Sequence, residues 1–127
     1  MRRVYAEYGT EVINDPFFGT GNVSVNWGQT VVSEAPAGVE SRALSFLFNE
    51  IDGRVISIGY LRAFIADTGS SVFSYSLDCS ANPLVCDAIV LDSAERQVTF
   101  NSTALVADID SGNQATGSMA LSGTLRW

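Results

Sequence analysis

The chain contains no histidine and no lysine in its 127 residues. Histidine is the side chain whose unperturbed pKa lies closest to neutrality. Without it, Ser-His and Cys-His nucleophile pairs cannot be assembled within one chain. The missing lysine excludes a Schiff base and a phosphate-binding P-loop, and the two absences together exclude the common His-ligated zinc sites. Charge is scarce as well: 17% of residues are charged, against about 25% in ordinary soluble domains. No apolar run approaches the ~20 residues that a membrane-spanning helix needs. No cofactor is expected from what remains.

What remains is 14 carboxylates, seven arginines, two cysteines and many hydroxyls, with a net charge of −7. An acidic chain repels phosphate backbones, so nucleic acid is not an expected partner. Anionic membrane surfaces are disfavoured for the same reason. The length fits one domain, and 46% hydrophobic residues suffice for one core. Met1-Arg2-Arg3 begins like a signal peptide, but residues 4–11 are too polar for its apolar segment. An extracytoplasmic location therefore presumes that a leader has been removed.

Period-2 alternation recurs along the chain. Val23, Val25 and Trp27 alternate with Ser24 and Asn26; Leu44, Phe46 and Phe48 follow the same pattern. So do Phe73, Tyr75 and Leu77, and then Met119, Leu121, Gly123, Leu125 and Trp127. Each is the signature of a strand with one buried face. Residues 55–66 are more continuously apolar and read as one long strand, or two joined by a bulge at Gly59. Turn chemistry falls between the runs: Asp52-Gly53 is the best hairpin signal, and residues 67–71, 92–95 and 110–114 follow. Only residues 41–51, with Ser41 as a cap, offer a competing short helix. The pattern predicts an all-β antiparallel fold, a β-sandwich or a flattened β-barrel, spanning residues 1–127 as a single domain. Residues 1–20 read as an irregular N-terminal arm. Phe46, Phe48, Phe73, Tyr75 and Phe100 are the expected aromatic core, and the alternating run ending on Trp127 is expected to be paired inside the sheet.

Cys79 and Cys86 flank Asn82-Pro83, a turn signal that would bring them together. A disulfide is predicted, against the alternative of two thiols on neighbouring strands. It would imply an oxidising compartment.

Asp67-Thr68-Gly69-Ser70-Ser71, preceded by Phe64-Ile65-Ala66, resembles the active-site loop of pepsin-like aspartic peptidases. In that chemistry two Asp side chains share one proton, because adjacent carboxylates cannot both ionise. The chain has one such loop, so the resemblance implies a homodimer with Asp67, Thr68 and Gly69 as the site. The same residues are also ordinary turn composition after a strand.

Asp108 and Asp110, in Asp108-Ile109-Asp110-Ser111-Gly112-Asn113, are weak candidates for a calcium loop. Calcium needs 6–8 converging oxygens, and the EF-hand spacing is not met. The plainer reading is a solvated acidic turn.

Trp27, Tyr5 and Tyr8 lie in a less regular region and are candidates for an exposed platform that stacks on sugar rings or anchors a protein. The expected role is a non-catalytic secreted or periplasmic binding module for a carbohydrate or a protein surface. The alternatives are the aspartic-peptidase-like homodimer and a structural subunit of a larger assembly.

Overall fold

The computed structural model describes residues 4–13, 21–34, 37–109 and 112–127, with the backbone alone for 4–13 and for Glu34. Eight strands and one helical turn follow in order: β1 (Val4–Ile13), β2 (Asn22–Glu34), β3 (Ala37–Asn49), β4 (Arg54–Ala66), β5 (Gly69–Asp78), α1 (Pro83–Asp87), β6 (Val90–Asp92), β7 (Gln97–Ala107) and β8 (Ser118–Arg126). All pairings are antiparallel, and the strands make one sheet in the order β1-β2-β3-β4-β5-β7. Strand β8 pairs β7 over most of its length. Strands β5 and β6 therefore share the other edge of β7, at opposite ends of it. The expected all-β antiparallel fold is thus realised as a single sheet curled into a half-barrel, the barrel-like member of the two architectures anticipated.

The turns form where the sequence places its turn residues. Asn49 organises the β3–β4 connection: its Oδ1 accepts from the Ile51 and Asp52 amides at 2.9 and 3.1 Å, and its carbonyl accepts from Gly53 at 2.9 Å. Gly53 takes a φ of +71°, which glycine reaches without a Cβ clash. Asp67 and Thr68 form the two-residue tip between β4 and β5, closed by the Ala66–Gly69 pair. Residues 41–51 are not helical: Phe46 and Phe48 at spacing two bury one sheet face, and a helix would separate them. The N-terminal stretch read as an irregular arm contains β1, registered along β2 from Val4–Ser33 to Ile13–Ser24. Its strand register is set by pairing, where its own alternation is broken by Gly9 and Thr10.

Two register shifts decide which residues face inwards. In β4 the partner of Leu47 is Ser57 and that of Phe48 is Val55, so Ile56 is the extra residue of a β-bulge. Val55 and Ile58 are thereby both buried. Residues Arg54–Ala66 form one long strand, the first of the two readings, and Gly59, the bulge of the second, pairs regularly with Ser45 and Ser76. In β7 the shift lies between Phe100 and Thr103, where Ser102 adopts a φ of +50° and its amide donates to Ser122 Oγ at 2.9 Å. It lets Val98 and Phe100 share the core with Thr103 and Leu105.

The core lies on the concave face. Phe46 stacks on Phe48 with centroids 5.3 Å apart and meets Phe100 edge-on at 5.8 Å. Trp127 reaches across the interior to Phe48 at 5.4 Å and Phe46 at 6.4 Å. Its backbone amide donates to Arg96 O at 3.0 Å. The sheet's curl is what joins β3 to the end of β8 through these rings, since four strand boundaries separate them along the sheet.

Cys79, just after β5, is bonded to Cys86 in α1, with the Cα atoms 5.6 Å apart and both residues buried. The expected turn between them is tightened into one helical turn with Pro83 at its start. Closing so short a loop is worth about 2–3 kcal/mol in the chain-entropy model. The doubly substituted Cys79→Ala/Cys86→Ala protein should unfold at correspondingly lower urea concentration than the parent. An unchanged midpoint would show that packing alone holds α1 in place.

Candidate ligand-binding face

Inward-facing side chains of β2–β5 form cross-strand rows, because directly opposite residues share a face. Val25, Phe46 and Ile58 are buried, as is Leu77 beside Ile58. The next row, Trp27–Leu44–Tyr60–Tyr75, packs against the core's edge, with Leu44 buried and the three aromatic residues half-buried. Beyond it lies Gln29–Arg42–Arg62–Phe73, and beyond that Val31–Glu40–Phe64–Ser71. Burial falls away along these rows: Phe64 is 38% exposed, and the side chains of Arg42 and Arg62 are 44% and 49% exposed. Strands β2–β5 thus run on past the core and carry its inward face into the open. Phe73 belongs to this open portion rather than to the aromatic core in which it was expected, because the period-2 pattern does not register where the cover ends.

Glu40 joins the two arginines. Its Oε1 accepts from Arg62 Nε at 2.7 Å, and from Arg42 Nη2 and Nε at 3.3 and 3.4 Å. The Arg62 hydrogen bond, reinforced by Arg42, holds the Glu40 carboxyl below the usual carboxylate range, against a smaller opposing effect of burial. The pair is exposed enough that its worth to stability is about 1 kcal/mol or less. The Phe64 ring lies over Gly38: a Cβ there would stand 2.9 Å from Phe64 Cζ, so the missing side chain makes room for the ring. At the core end, Trp27 and Leu44 line a cleft of about 260 Å³ with Phe100, Leu121 and Leu125.

Of the residues anticipated as a platform, Trp27 is on this face. Tyr8 is registered opposite Gln29 and Tyr5 opposite Val32. Both thus lie on β1, the strand that neighbours the one carrying Trp27. The open part of this face is carried by β3, β4 and β5 as well. Arg42, Arg62, Glu40 and Phe64 were not anticipated, and the one cue available was the odd placement of two cations within long, weakly charged strands.

Asp67, Thr68 and Gly69 stand exposed at the β4–β5 tip. Asp108 lies beside β5, where its carboxylate accepts from the hydroxyls of Ser74 and Ser76. Asp110 lies outside the described residues. Among the described residues no group of three or more His, Cys, Asp or Glu side chains is placed to hold a metal ion.

Asn113 completes the edge of β5. Its Oδ1 accepts from the Ser74 amide at 2.8 Å, and its Nδ2 donates to the carbonyls of Ser74 at 3.1 Å and Asp108 at 2.7 Å. The side-chain amide thus stands in for the neighbouring strand that β7 no longer supplies.

A second cleft, of about 370 Å³, lies beside the disulfide and is lined by Arg54, Asp78, Pro83 and Asp87 among others. There the Ser80 hydroxyl and amide hold the Asp78 carboxyl below its ordinary pKa. Among the described residues no helix is long and apolar enough to cross a membrane.

No family model, no curated protein and no solved structure matches this chain.

Proposed function

We propose that the protein is a non-catalytic binding module that works outside the cytoplasm and takes a carbohydrate on the open inward face of β2–β5. The observation that carries this reading is the run of Trp27, Tyr60, Tyr75, Phe73 and Phe64 on one continuous face that is covered at one end and open at the other. Aromatic rings with a polar fringe suit a ligand that has both apolar ring faces and hydroxyls. The Cys79–Cys86 bond supports an oxidising compartment, either secreted or periplasmic, reached by a leader that is then removed.

The test is calorimetric titration with a panel of neutral and acidic oligosaccharides. Saturable binding of at least one member is expected, weakened about tenfold by Phe64→Ala with an unchanged melting midpoint. A folded protein that binds no member overturns the reading.

One feature favours the structural-subunit alternative. Among the described residues nothing pairs the outer edge of β8, and Leu61, Ile65 and Val106 are exposed. Unpaired edges invite further strands. That reading requires mass in solution to rise with concentration in sedimentation, and the sugar-binding reading does not. The peptidase reading has an exposed Asp67 tip to build on, and it requires proteolysis at acid pH that Asp67→Asn abolishes.

A further inference from the structure

Arg42 and Arg62 occupy directly opposite positions on β3 and β4. Like charges so placed destabilise a sheet, and the chain has only seven cationic side chains in all. Glu40 offsets the repulsion through one oxygen: all three of its contacts with the arginines run through Oε1. A guanidinium carries five N–H donors. Among the described residues, the Arg62 Nη groups and Arg42 Nη1 reach no protein acceptor. Two forks therefore stand side by side on an open face, half-solvated, with one carboxylate between them and a net local charge of +1. Phe73 flanks them in the same row, and Phe64 and Tyr60 stand in the rows on either side of Arg62.

We propose that Arg42 and Arg62 recognise the carboxylate of a uronic-acid-containing glycan, with Phe64, Phe73 and Tyr60 receiving its ring faces. This rests on the reading of the face as a carbohydrate site and names the class of sugar. The planar guanidinium fork matches a carboxylate in a two-point geometry that a point charge does not. The alternating demand for an anion and for an apolar ring face is what each uronate unit supplies. A polypeptide ligand would find less on this face, because the main-chain groups of β3 and β4 are spent on the strands to either side of them and peptide addition needs a free strand edge. The chain as a whole carries a net charge of −7, and binding at this pair weakens as salt screens it.

The test compares three probes by calorimetry at low and moderate salt: oligogalacturonate, the same oligomer with its carboxyl groups reduced to alcohols, and a neutral cello-oligosaccharide. The expected result is that oligogalacturonate binds at least about tenfold more tightly than its reduced form and loses affinity as salt rises. Arg62→Gln and Arg42→Gln should each remove most of that preference. Arg62→Lys should restore only part of it, since charge without the fork is not enough. Both arginine side chains are about half exposed, so the variants should fold, and a Glu40→Gln/Arg42→Gln/Arg62→Gln protein removes the cluster without stranding a charge. If the reduced or neutral oligomers bind as tightly as the uronate and the arginine variants change nothing, the uronate assignment falls while the carbohydrate reading stands. If none of the three binds to folded protein, the uronate assignment falls, and the wider panel decides the carbohydrate reading by itself.

Discussion

Replacing Phe46 by alanine is expected to cost about 4 kcal/mol, the middle of the range for truncating a buried aromatic side chain. Phe46 is completely buried and sits where three aromatic neighbours meet: Phe48 stacked, Phe100 edge-on, and Trp127 arriving from the end of β8. The ring is therefore the piece that fastens one limb of the curled sheet to the other. Its removal takes away the transfer energy of a full ring. It also leaves a cavity that a rigid sheet cannot collapse around. Against a typical total stability of about 5–15 kcal/mol, the variant should be partly unfolded at modest urea concentrations. Chemical denaturation followed by tryptophan fluorescence reads this directly, because Trp127 is one of the rings exposed. Phe73→Ala is the control. It removes the same side chain from the same face beyond the end of the core, and it should cost well under half as much. Equal losses at the two positions would mean that the core extends further along the sheet than burial indicates, and that no open face remains for a ligand.

The strands were legible in the sequence because a half-buried sheet writes its burial into alternate residues, as Leu44, Phe46 and Phe48 show. The β3–β4 turn was legible because Asp52-Gly53 has turn chemistry of its own. The disulfide was legible because a proline turn stands between its cysteines. The candidate site was not, and the reason is phase. Whether Arg42 faces Arg62 depends on one extra residue in β4. Were Ile56 not bulged out, Arg42 would stand opposite Leu61, and Leu61, Ala63 and Ile65 would replace Tyr60, Arg62 and Phe64 on the inward face. Nothing in residues 55–66 marks Ile56 as that residue, and Gly59 is the more conspicuous choice. The end of the core was equally hidden, since Phe73 and Phe46 sit in identical alternating patterns. What separates them is whether the far limb of the sheet covers them, which is a property of the curl.

Asn113→Asp should be the most damaging single-atom-scale change in the chain, with an expected loss of about 3 kcal/mol. The substitution keeps shape and volume, so packing is not at issue. The native amide accepts from the Ser74 and Ala115 N–H groups and donates from Nδ2 to the Ser74 and Asp108 carbonyls. A carboxylate reproduces the accepting half and reverses the donating half. It sets a negative oxygen against two carbonyl oxygens within a part-buried site, and it does so on the segment that also carries the Asp108 carboxylate bound by Ser74 and Ser76. An unmade hydrogen bond in such a site costs about 1–3 kcal/mol, and more where a charge is involved. Asn113→Ala separates the two contributions. It loses both halves of the pairing but introduces no repulsion, so it should cost less than the aspartate. The Ser74 and Gln114 amides, hydrogen-bonded to Asn113 Oδ1 and Val72 O respectively, should exchange with solvent much faster in either variant, while those between β3 and β4 keep their protection. A uniform rise in exchange across the whole sheet would show instead that the loop after β7 is part of one cooperative unit with the core. Stability equal to that of the parent in the aspartate variant would show that the amide is not the strand substitute its geometry describes.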